Sequence, residues 1–138
     1  MRFWLVENTN HYKQLKFSLV EMTDLIAMVS TGKGTWTSVS ALVNKEKWNK
    51  IYVITNDFGK EKFNKSSNME FILVDQNKSV NEMKEIIISS LKGKIKGEAG
   101  VNFISGTGKE HMALLGAIMK LGIGFRLVDV ENNGLEEV

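Results

Sequence analysis

Short apolar runs alternate with segments of helical period along most of this chain, and that alternation leaves few folds open. Asp24-Leu25-Ile26-Ala27-Met28-Val29-Ser30 is the first such run, and residues 51–55, 71–74, 101–105 and 125–130 follow it. Continuous apolar runs of this length read as strands buried on both faces. Between them, residues 37–47 carry Val39, Leu42 and Val43 on one stripe. Residues 79–92 carry Val80, Met83, Ile86, Ile87 and Leu91 in the same way, and a short helix is expected over 58–63. The last helix has Met112, Leu115, Ile118, Met119 and Leu121 on one stripe, expected to face inward, and Gly122 and Gly124 should stop it. Strands and helices in alternation predict a three-layer α/β fold, a mainly parallel sheet with helices on both faces. Right-handed crossovers restrict its topology further.

The flanks are different. Residues 2–6 and 15–19 read as two strands of an N-terminal β-hairpin extension over 1–22, turning near Asn8-Thr9-Asn10. Residues 131–138 are polar and acidic and are expected as a tail. With 138 residues the chain suffices for one domain with a proper core. A net charge of +2 makes no electrostatic case for duplex DNA. Without cysteine, and with two histidines far apart in sequence, neither a disulfide frame nor a metal site is expected, and no cofactor is. No apolar run is long enough to span a membrane and the N-terminus lacks a signal-peptide core, so a cytoplasmic protein is the expectation.

Two glycine-rich turns carry the chemistry. Ser105-Gly106-Thr107-Gly108-Lys109 joins the strand over 101–105 to the last helix, with His111 just beyond. Glycines let a backbone approach a ligand, and a helix start offers unpaired N–H groups to an anion. Lys109 adds positive charge, while Ser105 and Thr107 add hydroxyls. Ser30-Thr31-Gly32-Lys33-Gly34-Thr35-Trp36 repeats the combination after the first strand. In open parallel sheets ligands bind outside the carboxyl ends of the strands, where strand order reverses. If the strands over 24–30 and 101–105 are neighbours, the two turns flank one crevice. The same residues also fit a plain strand-to-helix connection with Thr107 as N-cap. His111 is either a proton carrier near a phosphate or a surface histidine. Trp36 either stacks on a base or lids the core.

Several better-known sites are absent. The first turn lacks the third glycine of a dinucleotide fingerprint, where Thr37 stands. Gly106-Thr107-Gly108-Lys109 has neither the spacer nor the following Ser/Thr of a Walker A loop. No Gly-x-Ser-x-Gly elbow occurs. Asp57, Asp75 and Asp129 end their strands, positions where aspartates most often cap turns and helices.

Over most of residues 24–130 the pattern resembles the CARF family, the Rossmann-like sensor domains associated with CRISPR systems. That family has an apolar strand, often with an asparagine, then Thr-Gly-Gly-Thr-Lys-x-Met and a helix of small and apolar residues. Here the stretch is Asn102-Phe103-Ile104-Ser105-Gly106-Thr107-Gly108-Lys109-Glu110-His111-Met112-Ala113, with Thr107 between the glycines. Ser30-Thr31-Gly32 is similar to the family's other ligand turn. The resemblance implies a Rossmann-like homodimer that binds a cyclic oligoadenylate across its two-fold axis, and some members cleave that ring without metal. Lys109, Ser30 and Thr31 would then be catalytic. Gly32, Trp36, Ser105, Gly106, Thr107, Gly108 and His111 would join them in holding the ligand. Alternatives are a module or enzyme for a mononucleotide or other phosphate ligand, and a regulatory subunit making protein contacts.

Overall fold

The computed structural model describes residues 23–30, 33–131 and 134–138. The expected hairpin over 1–22 and the candidates Thr31 and Gly32 lie outside the described residues. In chain order the elements are β1 (Asp24–Val29), a 3-10 turn (Lys33–Thr35), α1 (Trp36–Lys45), β2 (Ile51–Thr55), α2 (Asp57–Lys62) and β3 (Met69–Leu73). Then come α3 (Val80–Leu91), β4 (Ala99–Asn102), α4 (Gly108–Leu121), β5 (Phe125–Glu131) and β6 (Gly134–Glu137).

The sheet has six strands in the order β3-β2-β1-β4-β5-β6. β1 to β5 are mutually parallel, and β6 pairs antiparallel with β5. This is a three-layer, Rossmann-like α/β fold. β1 lies between β2 and β4, so the chain winds outward from β1 in one direction and then, through β4, in the other.

β1 is buried at every position, and its side chains divide between two cores. Ile26 and Met28 face a core built with Met83, Ile87 and Leu91 of α3 and Ala113, Leu114, Ala117 and Ile118 of α4. Leu25, Ala27 and Val29 face the other, with Val39, Leu42 and Val43 of α1, Trp48 and Phe63. Period-two alternation sends successive residues to opposite faces, and both faces are covered, so polar residues are excluded from the strand. Among the described residues, no helix is long and apolar enough to cross a membrane.

The helix starts have local causes. Asn56 caps α2 by accepting the Gly59 N–H at 2.8 Å. Ser79 and Glu82 form a reciprocal capping box at α3. The Ser79 N–H and hydroxyl both bind the Glu82 carboxylate, which holds it below its ordinary pKa. Gly122 ends α4 in the left-handed conformation, as its position in the sequence predicts.

Four expectations need correction. The strand placed over 101–105 is β4, Ala99–Asn102: it starts earlier, and 103–105 belong to the turn. Gly100 fits inside the strand because the Trp48 ring lies against it, 3.1 Å from where a Cβ would stand. Secondly, the polar tail contains β6; Arg126 Nη1 bonds the Glu137 carboxylate at 2.7 Å and Nε bonds Glu98 at 2.8 Å, which draws an acidic segment onto the sheet edge. Thirdly, the α4 stripe is reversed: Met112, Leu115 and Met119 are exposed, while Ala113, Leu114, Ala117 and Ile118 are buried. Small residues let the helix sit close on the sheet. Finally, Ile86 of α3, taken as inward, is 37% exposed.

Candidate functional site

The carboxyl ends of β1 and β4 are adjacent, registered from Asp24↔Ala99 to Ala27↔Asn102. Strand order reverses there, which makes it the expected ligand crevice of an open parallel sheet. The expectation that the Ser30 turn and the 105–109 turn flank one crevice is met.

Asn102 closes β4. Its Nδ2 donates to the Val128 carbonyl on β5 at 2.8 Å, and its Oδ1 accepts the Ile104 N–H at 3.0 Å. One side chain thus continues the ladder and starts the turn. Gly106 has φ of 105°, a conformation that favours glycine, and a Cβ there would stand 3.1 Å from His111 Nε2.

Ser30 is 1% exposed, and all three of its polar groups are engaged. Its N–H points to Ser105 Oγ at 3.5 Å. Its carbonyl accepts the Trp36 Nε1–H at 2.8 Å. Its hydroxyl donates to Glu110 Oε1 at 2.8 Å. The same Glu110 oxygen accepts the Thr107 N–H at 2.8 Å, while Thr107 Oγ1 accepts the Glu110 N–H at 3.2 Å. Thr107 is therefore the N-cap of α4, in a capping box with Glu110. Glu110 is 1% exposed, and its second oxygen, Oε2, is buried without a hydrogen-bond partner. A single buried carboxylate ties the ends of β1 and β4 together.

The remaining candidates lie around this tie. His111 is half-buried; its Nε2 lies 2.8 Å from the Ser105 carbonyl. A carbonyl only accepts, so Nε2 carries a hydrogen. The ring meets Phe103 edge-on at 5.3 Å. Trp36 packs against Phe58 and Phe63, with centroids at 5.8 and 6.1 Å, beside the core and next to the crevice. Lys109 is exposed and reaches away from Ser30, donating to the Gln76 carbonyl at 3.0 Å. Gly108 and Lys109 fill the first turn of α4, where backbone N–H groups have no intrahelical acceptor.

Glu110 already occupies the inner side of the helix start. An incoming anion is left with the outer donors: the Gly108 and Lys109 N–H groups and the Lys109 ammonium. Of the candidates read from the sequence, Ser30 and Ser105 hold the crevice together from within. Gly106, Thr107, Gly108, Lys109 and His111 form its outer wall. Glu110 was not among those candidates, although Thr107-x-x-Glu110 has the spacing of a capping box.

A second hollow lies on the same edge, beyond the ends of β2 and β3. It measures about 480 Å³ and is lined by Asn56, Asp57, Phe58, Leu73, Gln76 and Ile86, among others. Among the described residues, no three histidines, cysteines or carboxylates converge as metal ligands would. No protein-family model matches the chain, and a search of curated proteins found no match in sequence.

Proposed function

We propose that the chain is a dimeric binding protein for a cyclic oligoadenylate second messenger in CRISPR antiviral signalling, and that it cleaves this ring without metal. The observation that carries the reading is the reversal of strand order between β1 and β4, with both hydroxyl- and glycine-bearing turns on its rim. A phosphate there meets the donors of Gly108 and Lys109, and an ammonium that is held only by one carbonyl. Exchanging that carbonyl for a phosphate oxygen gives a stronger, charge-assisted bond.

Cleavage asks little more of the protein. A ribose 2′-hydroxyl attacks the neighbouring phosphorus, the bond to the 5′-oxygen breaks, and a 2′,3′-cyclic phosphate remains. Orientation and stabilisation of phosphate charge provide the rate. Lys109 supplies the charge, and Ser30 acts as a positioning residue through its bonds to Glu110 and Ser105. The ring has its own symmetry, and one copy offers contacts to only part of it. Support for a second copy comes from α4, where Met112 and Met119 are 66% and 71% exposed and Leu115 lies between them on the same face.

Calorimetric titration with cyclic tetra- and hexa-adenylate tests the site. Lys109→Ala is expected to weaken binding by about 1–3 kcal/mol, the worth of a charged hydrogen bond, and to leave thermal stability nearly unchanged. Equal affinity of variant and wild type would remove the 105–109 turn from the ligand. Light scattering should find a dimer at assay concentrations, and Met112→Lys combined with Met119→Lys should separate it. A monomeric wild type would end the cyclic-ring reading while leaving room for a mononucleotide.

A further inference from the structure

We infer that the hollow beyond β2 and β3 is a nucleobase slot, with Phe58 as its stacking face and the Gln76 amide reading the base edge. The inference rests on the proposed binding of an adenylate at the β1/β4 crevice. It gives the base of that ligand a place distinct from the phosphate turn.

Three side chains argue for a planar apolar ring. Phe58, Leu73 and Ile86 are 45%, 38% and 37% exposed, and all line this one hollow. They come from α2, β3 and α3, so the fold gathers them from separate elements. Isolated exposed apolar residues are ordinary; a set converging on one concavity points to a ligand. Phe58 is also braced. The Trp36 ring packs against it at 5.8 Å, and Trp36 is itself pinned through Nε1 to the Ser30 carbonyl at 2.8 Å. A fixed but exposed aromatic ring loses little freedom when a base stacks on it. Trp36, the aromatic that the sequence offered for stacking, is the support, and Phe58 is the free surface.

Gln76 supplies the polar half. Its side-chain Nε2 is buried and has no hydrogen-bond partner. An unpaired amide donor is costly unless something accepts from it, and a ring nitrogen of a purine is such an acceptor. The backbone carbonyl of the same residue holds Lys109 Nζ. One residue thus lines the slot and touches the ammonium assigned to the phosphate. The two hollows stand about two strand spacings apart, roughly 10 Å, a span that a nucleotide bridges from phosphate to the far edge of its base. A volume of about 480 Å³ is ample for one base.

The test uses adenosine monophosphate, ribose 5-phosphate and cyclic tetra-adenylate as probes in calorimetry. Wild type is expected to bind the monophosphate at least about tenfold tighter than the sugar phosphate, the scale of one base stacking on an aromatic ring. Phe58→Ala should remove that difference and weaken the cyclic ligand roughly tenfold or more, with ribose 5-phosphate unaffected. Phe58→Tyr should restore binding, and Gln76→Leu should weaken both adenylates. Phe58 is half-exposed, so melting temperatures should stay close to wild type. If cyclic tetra-adenylate binds and responds to Lys109→Ala but not to Phe58→Ala, the slot is overturned and the phosphate reading stands. If no adenylate binds wild type at all, the proposed function falls and takes the slot with it.

Discussion

Glu110→Ala is expected to lower the free energy of unfolding by roughly 3 kcal/mol, one of the two largest effects of a single substitution here. Its Oε1 accepts both the Ser30 hydroxyl and the Thr107 N–H, each at 2.8 Å and away from water. Truncation leaves the Ser30 hydroxyl buried and unpaired, which costs about 1–3 kcal/mol. It also breaks the capping box, on the order of 1 kcal/mol, and empties part of the space at the head of α4. Glu110→Gln separates these effects from charge. Glutamine keeps one acceptor for both donors, and the second carboxylate oxygen had no partner to lose. Its cost should stay below about 1.5 kcal/mol, the net value of one ordinary hydrogen bond. Urea unfolding with unchanged slope measures both variants. A loss under about 1 kcal/mol for the alanine variant would show that the tie between the two turns adds nothing to the fold.

Gly59→Ala is the second large effect. Gly59 is buried in α2 and lies directly over Thr55, the last residue of β2. An added Cβ would overlap Thr55 Oγ1 and stand 3.1 Å from Thr55 Cβ and 3.2 Å from the Val29 carbonyl oxygen. Thr55 is fully buried, so its side chain has no open space to rotate into. Forcing a methyl into such a contact costs about 1–3 kcal/mol, against under about 1 kcal/mol gained from helix propensity. Thr55→Ala removes the obstructing hydroxyl, which has no hydrogen-bond partner. The double variant should therefore be more stable than Gly59→Ala alone. A strictly additive cycle by thermal or urea unfolding would place the strain elsewhere.

The parallel strands were legible because burial on both faces writes an unmistakable run, as in Leu25-Ile26-Ala27-Met28-Val29. Glycine-rich connections at the strand ends located the β1/β4 crevice for the same local reason. Longer-range causes were not visible. Gly134-Leu135-Glu136-Glu137 becomes a strand only because β5 offers an edge and Arg126 offers a cation. In α4 the period identified a helix without choosing its inner face, since apolar residues occupy both sides and alanines make the closer contact. Ser30 was read as reaching for ligand; its hydroxyl is instead committed to Glu110, eighty residues along the chain. Lys109 stands where the sequence put it, but the turn that receives it, at Gln76, is a tertiary neighbour. Phe58 looked like one more apolar residue of a short helix until Leu73 and Ile86 were found beside it.

β6 runs against the rest of the sheet, and the Val138 N–H bonds the Leu127 carbonyl near the start of β5. Position 138 is thereby carried back to the amino-terminal edge, a strand's length from the crevice. An affinity handle, a dye or a sensor surface coupled there stands on the far side of the molecule from both hollows. Immobilised through that point, the protein would present its carboxyl edge outward to solution.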